Sequence, residues 1–429
     1  METVGTEVKL KKNLVTLLVL TLSGSFIYTL PYFRSYYYDG FMKAFNLTNA
    51  QMGLCSVCFG GIGAISYLFG GIISDRFSIK LLIPTSMILT GTLGFCLLFS
   101  PPPAIVILIH ALWGLTSLMM FYPALMKSIR ALAGSTEQGK AFGIFEGGRG
   151  IFNAGYLTIA AVIFARMVAA GSESLGIRRI ILFYATVTTL LGVLTIFLLR
   201  DLPEENSGEK KSFQLKLIAK PAKIPEVWLM IGIIFSTLTV SQGYYYISPY
   251  VTNTFTVSAV VGVILTSASQ YIRPFASMGA GFLGDRINSS KVMLIGQVGL
   301  FIGVATILVC NSMGIIPVLI ASLIIFVCMY FCVSMHFAIM EEFDCPPEWE
   351  GAAIGLICCL GYMPEVTNHF IAGQLLDHFP GNTGYRLFFI YMLVVVAIGI
   401  GLTLIWFKRT KQKRMSMLKN NQKLKGLKE

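Results

Sequence analysis

Charged side chains are scarce in this chain. Asp, Glu, Lys and Arg together make up 13% of its 429 residues, where a soluble domain carries about a quarter. The hydrated surface that would enclose a soluble fold of this size is therefore missing. Catalytic and metal-binding patterns are missing too, and no soluble catalytic domain is legible. "GSTEQGKA" from Gly134 follows a phosphate loop as far as Lys140, then has Ala141 where a hydroxyl must hold Mg²⁺. It lies between two apolar runs with no strand before it, which excludes an ATP site. Cys55 and Cys58 stand inside an apolar run, where a thiolate is badly solvated, so the nine cysteines read as small packing residues. No cofactor is expected, and the chain is not an enzyme. A cleavable signal peptide is not expected either: Lys9, Lys11 and Lys12 lead into a run too long for one.

What is there is hydrophobic: 55% of the residues. Apolar runs of about twenty residues or more, each long enough to cross a bilayer, fall near 13–38, 49–73, 81–100, 104–130, 141–168 and 177–199. Six more follow near 226–250, 257–282, 291–310, 315–341, 351–376 and 384–407. The expectation is an all-α membrane protein of twelve spans. Its divisions are a six-helix bundle over 1–200, a linker over 201–224, a second bundle over 225–407 and a basic tail over 408–429.

Lys and Arg set the orientation. One side collects the N-terminus, Arg76, Lys80, Lys127, Arg130, Lys140, the linker, Arg286, Lys291 and the tail. The other side receives little charge, so both termini are expected in the cytoplasm of a cell membrane, taken as a bacterial inner membrane. The net charge of +12 belongs to these cytoplasmic segments, which makes nucleic acid an unneeded partner. The tail can also meet anionic lipid.

The two bundles repeat one another. "GGIISDRFSIK" follows span two and "GFLGDRINSSK" follows span eight, with Asp75 and Arg76 matching Asp285 and Arg286 at an offset of 210. Upstream, the tyrosines from Tyr36 echo those from Tyr244.

Twelve spans, a central linker and Gly-x-x-x-Asp-Arg-x-x-x-Lys after span two resemble the major facilitator superfamily. The pattern departs from the usual one at Ser78, where glycine is common, and by one extra residue before Lys291. The resemblance implies the major facilitator fold, a transporter working by alternating access, and a monomer. It also implies that Asp75, Arg76, Lys80, Asp285 and Arg286 latch helix ends during gating. Glu146 and Arg149, three residues apart in "FEGGRG", are expected to join that latch as a local ion pair.

Within "TSASQYIRPFASMGAGFLGDRI", Arg273 falls near the centre of span eight. An arginine there costs at least about 2.5–3.5 kcal/mol on insertion scales, so something must offset it. Thr266, Gln270, Arg273 and Ser277 share one helix face, and Pro274 withdraws the hydrogen bond to the Gln270 carbonyl. A break in the helix is expected there, as in other carriers. Arg273 then binds an anionic substrate through its two-pronged donor set, or pairs structurally with Glu365, or does each in turn.

Arg-Pro in span eight is similar to the monocarboxylate transporters, and an arginine in that span to the oxalate–formate exchanger. That resemblance implies a carboxylate-binding role for Arg273, and a companion role for Arg34 in span one. A snorkelling anchor is the other reading of Arg34. Organophosphate antiporters pair a span-one arginine with another in span seven, where this chain has Gln242. Tyr28, Tyr32, Gln242 and Tyr246 are candidate substrate contacts, with an interfacial aromatic belt as the alternative for the tyrosine clusters, above all Tyr36–Tyr38.

Coupling candidates are Glu365, poised by burial and a nearby cation, His336 toward the end of span ten, and His110 in "HALWG". The last stands where proton-coupled members of the superfamily carry Arg-x-x-x-Gly, and a satisfied core histidine is its other reading. Glu341 and Glu342 read as a solvated helix end. The expected function is secondary transport of a small organic anion, carboxylate or sulfonate, coupled to protons or to a counter-anion across the lipid bilayer. Sugar-phosphate antiport and a transporter-like ligand sensor are the alternatives.

Overall fold

A computed structural model describes residues 13–132, 138–199 and 220–416. Among the described residues every regular element is helical. Among the described residues eight helices are long and apolar enough to cross a membrane, or nine when the bent pair Leu14–Phe26 and Thr29–Tyr36 counts as one span. Each of the twelve apolar runs corresponds to one helical rod, in several cases an interrupted one.

The rods start where capping chemistry allows. The Ser78 hydroxyl accepts the Lys80 N–H at the head of Ile79–Leu97, and Ser258 does the same for Val260 at the head of Ala259–Ile287. Pro103, Pro225, Pro347 and Pro364 open their helices at the first position, where no N–H is missed. Span eight ends where Asn288 turns to φ +87°.

Contacts divide the chain into two compact units, Met1–Leu47 with Cys58–Phe213 and Thr48–Val57 with Gln214–Glu429. Helix Asn49–Arg76 thus begins in the second unit and continues in the first.

The interruptions are placed differently from expectation. Span eight runs unbroken through Pro274 as Ala259–Ile287, because the flanking turns keep their own hydrogen bonds. Breaks occur elsewhere. Span one bends by 42° between Phe26 and Thr29, and span seven passes through a 3-10 turn at Tyr244–Tyr246. Span eleven is split before Pro364 into Pro347–Gly361 and Pro364–His378. Span four contains a π-helical stretch, Gly114–Phe121, a geometry that recurs at functional positions. Four candidates, Tyr28, His110, Tyr246 and Glu365, lie at or beside these irregular segments.

Candidate functional site

In the second unit, Arg273 is fourteen residues from either end of helix Ala259–Ile287. The helix has a clear lipid-type face: Ile264, Tyr271, Phe275, Met278 and Phe282 are all exposed, Phe275 at 78%. At about 100° per residue, Thr266, Gln270, Arg273 and Ser277 fall on the opposite face. Thr266 is buried and the other three are half-buried. The guanidinium of Arg273 rests over the Tyr330 ring of span ten, 5.9 Å from its centre. An aromatic face so placed balances part of the guanidinium charge.

Spans seven and eleven meet in the same unit. The Tyr246 hydroxyl shares a hydrogen bond with Nδ1 of His369 at 3.0 Å, and both side chains are buried. Asn368 donates to the Thr239 carbonyl and accepts the Tyr391 hydroxyl at 3.1 Å. Ser269 donates to the Tyr244 hydroxyl at 3.2 Å. The side-chain oxygen of Gln242 is buried without a hydrogen-bond partner. Glu365 is half-buried in the first turn of Pro364–His378. His336 is fully buried, with Nε2 2.8 Å from the Thr237 hydroxyl and its ring edge-on to Tyr362.

Sequence reasoning missed Asn368, His369, Tyr330 and Tyr391. A signal for the first two existed: "GYMPEVTNHF" places Thr367, Asn368 and His369 beside Glu365 in an apolar span, where polar side chains are costly as well.

In the first unit, Arg34 is only 3% exposed. It does not snorkel. Its Nη1 donates to the Ser35 hydroxyl at 3.2 Å, its Nε has no hydrogen-bond partner, and no carboxylate among the described residues pairs with it. His110 is fully buried between the rings of Phe41 and Trp113, with Nδ1 2.8 Å from the Val106 carbonyl. Tyr28 and Tyr32 are half-buried on a different face of span one. Tyr28 reaches the Ser117 carbonyl in the π-helical stretch at 3.5 Å, and Tyr32 packs edge-on against Phe59.

Two expectations fail on burial. Tyr36, Tyr37 and Tyr38 form no interfacial belt, because they turn inward, Tyr37 packing edge-on against Phe164 and tilted against Phe33. Glu342 is no solvated helix end: it is 1% exposed and accepts the Ser290 N–H and the Trp406 indole N–H, each at 2.9 Å. Glu341 is exposed as expected.

For the gating residues, the side chains of Asp75, Arg76, Glu146 and Asp285 lie outside the described residues. Arg286 is exposed, Lys80 is half-buried, and Arg149 sits over the Phe145 ring at 5.3 Å.

Residues 13–363 match the model of the Major Facilitator Superfamily. The chain is 26% identical to the inner membrane protein YqcE of Escherichia coli (strain K12) over 409 residues, covering 92% of this chain and 95% of that protein. It is also 26% identical to the inner membrane protein YihN of the same organism over 417 residues, covering 95% and 98%. Among solved structures, the nucleoside transporter NupG superposes with a TM-score of 0.68 at 15% identity, covering 96% of this chain and 99% of that one. A bacterial homologue of the human lysosomal transporter Spinster superposes at 0.67 with 14% identity, covering 94% and 98%. The chain belongs to the Major Facilitator Superfamily, and it is a secondary transporter.

Proposed function

We propose that this transporter carries a small organic anion of carboxylate or sulfonate type by alternating access, driven by a proton gradient or by exchange. The observation that carries the proposal is Arg34: a permanent cation, buried in span one, whose side chain has a neutral hydroxyl and no carboxylate beside it among the described residues. A buried charge without a counter-charge is costly, and a transported anion offsets that cost whenever it binds. Arg273 supports the same reading from the second unit, since it faces away from the lipid-type stripe of its helix. Its guanidinium presents paired donors that suit a planar carboxylate.

In this reading Tyr28 and Tyr32 in the first unit, and Gln242, Gln270 and Tyr246 in the second, are the candidate substrate contacts of their own units. Glu365, His336 and His110 serve coupling, and the two Asp-Arg loops with Lys80, Glu146 and Arg149 serve gating. The excess of Lys and Arg on one side supports a cytoplasmic location for both termini. The two Escherichia coli relatives, named as inner membrane proteins, support that membrane as the location.

The test is uptake into proteoliposomes of labelled carboxylates, sulfonates and sugar phosphates, with an imposed pH gradient or an internal counter-anion. Uptake of one carboxylate or sulfonate class, lost in Arg34→Gln and in Arg273→Gln, is the expected result. Uptake of sugar phosphates alone would replace the substrate class. Uptake of neutral solutes that both variants retain would remove the anion reading.

A further inference from the structure

His369 stands at a junction of the second unit. Its Nδ1 shares a hydrogen bond with the Tyr246 hydroxyl at 3.0 Å, and its ring lies 5.6 Å from that of Tyr246 and 6.4 Å from that of Tyr245. Both partners border an irregular segment. Tyr246 closes the 3-10 turn that interrupts span seven, and His369 lies in the half of span eleven that starts after the break before Pro364. The His369 carbonyl occupies the place that a Cβ on Gly53 would need, near the start of helix Asn49–Arg76. Glu365 precedes His369 by four residues on the unbroken helix Pro364–His378, so the two side chains are neighbours on one face. Of the four histidines in the chain, His369 alone has a carboxylate four residues before it. His369 is buried, and Glu365 is half-buried.

We propose that His369 binds the proton that drives transport, with Glu365 as its counter-charge and Tyr246 as its hydrogen-bond partner in both charge states. The proposal rests on the proton-driven form of the transport reading and adds the histidine that takes the proton. Imidazole titrates in the physiological range. A hydroxyl can donate to a bare Nδ1 or accept from a protonated one, so the Tyr246 bond survives either state. The neutral imidazole gains one proton from water on one side of the membrane and becomes imidazolium beside the Glu365 carboxylate. It returns that proton to water on the other side. A Glu four residues before a cation is the favourable order on a helix. A buried imidazolium without such a partner is costly, and His110 and His336 meet a carbonyl and a hydroxyl instead. The groups around His369 are Glu365 on its own helix, Tyr245 and Tyr246 from span seven, and the backbone at Gly53. Tyr391 from span twelve bonds to the adjoining Asn368. Of these, Glu365 is the group that can oppose a charge on the ring near neutral pH. Because the Tyr246–His369 bond joins two interrupted spans, gaining or losing the proton acts on segments able to change shape.

The experiment follows the four histidines of the full-length protein, isotope-labelled at Cε1, by NMR in detergent as pH is varied. The His369 signal is identified by its absence from His369→Gln or, should that variant not fold, as the one that persists when each other histidine is replaced in turn. It is expected to titrate between about pH 5 and 8, with a midpoint that moves in Glu365→Gln. Uptake of labelled carboxylates and sulfonates into proteoliposomes gives the second readout. His369→Gln is expected to keep exchange against an internal counter-anion and to lose the accumulation driven by an imposed pH gradient. A His369 signal that stays flat over this range would overturn the proposal, and so would a midpoint indifferent to Glu365→Gln. Accumulation in His369→Gln that follows the pH gradient as in the unaltered protein would overturn it as well. Should His369→Gln lose exchange too, the titration in the unaltered protein decides. If the unaltered protein takes up none of these anions, the anion reading falls, while the titration still decides whether His369 binds a proton.

Discussion

The Glu342 carboxylate accepts the indole N–H of Trp406 at 2.9 Å, joining the segment after span ten to span twelve. Its other oxygen accepts the Ser290 N–H at 2.9 Å, and Arg414 stands 3.9 Å away. Three separate stretches of the second unit thus converge on one buried carboxylate. Removing a charge that others are arranged around strands its donors. Glu342→Ala is expected to destabilise the protein by about 3 kcal/mol and Trp406→Phe by about 1–2 kcal/mol. In a double-mutant cycle read from melting in detergent, the two changes should be non-additive, because each removes the same contact. Additive losses would show that the hydrogen bond contributes little.

Gly53 and Gly373 let two backbones approach within the second unit. A Cβ on Gly53 would collide with the His369 carbonyl oxygen, and one on Gly373 would come within 2.6 Å of the Asn49 carbonyl. Neither obstacle is a flexible side chain, so the helices must move apart to admit a methyl. Gly53→Ala and Gly373→Ala are each expected to cost about 1–3 kcal/mol of stability, measured by thermal unfolding. A neutral substitution at either position would contradict this packing.

Asp377, one residue beyond apolar run eleven, holds the start of helix Asn49–Arg76. It accepts from the backbone N–H of Asn49 at 3.0 Å, from the Asn49 side chain at 2.9 Å and from the Ala50 N–H at 2.7 Å. Burial pushes its carboxyl pKa up, but these hydrogen bonds outweigh burial and hold it below the usual range. Its contribution is therefore present above the pKa of the unfolded chain and is lost as pH falls through the lower folded value. The carboxylate is well exposed, so the effect is at most about 1 kcal/mol. Asp377→Asn should melt below the unaltered protein at neutral pH, and the gap should close below about pH 4. A gap that does not change with pH would mean that the charge plays no part.

Replacing Arg273 by lysine keeps the charge and loses the planar fork. If Arg273 grips a carboxylate through paired donors, Arg273→Lys should lower transport by about tenfold or more while the protein remains folded. Initial uptake rates in proteoliposomes measure this. Full activity in Arg273→Lys would reduce the arginine to a point charge.

The helical rods were legible because each apolar run has the length that a bilayer demands, and the doubled Asp-Arg motif with its doubled tyrosines announced two related halves. Arg273 was legible for the same reason: a charge inside such a run is conspicuous. Burial at helix ends was not. Glu342 and Tyr36–Tyr38 lie where sequence alone predicts water or headgroups, and only the fold-back of neighbouring segments encloses them. Pro274 was misleading, since an interior proline marks a place where a helix is able to break, and the neighbouring turns decide whether it does. The breaks fell between Phe26 and Thr29, at Tyr244–Tyr246, at Gly114–Phe121 and before Pro364. A proline follows each of them: Pro249 leaves the Tyr245 carbonyl and Pro123 the Met119 carbonyl without the usual helical N–H, as Pro364 does for Leu360.

The anion claim is tested most directly by a melting screen of the purified protein against carboxylates, sulfonates, sugar phosphates, neutral sugars and nucleosides, repeated on Arg34→Gln and Arg273→Gln. A ligand at a hundred times its Kd stabilises the folded state by about 2.7 kcal/mol, a shift well within reach of the method. The account predicts stabilisation by one carboxylate or sulfonate class, abolished in both variants. Stabilisation by a neutral sugar or nucleoside that both variants retain would contradict it.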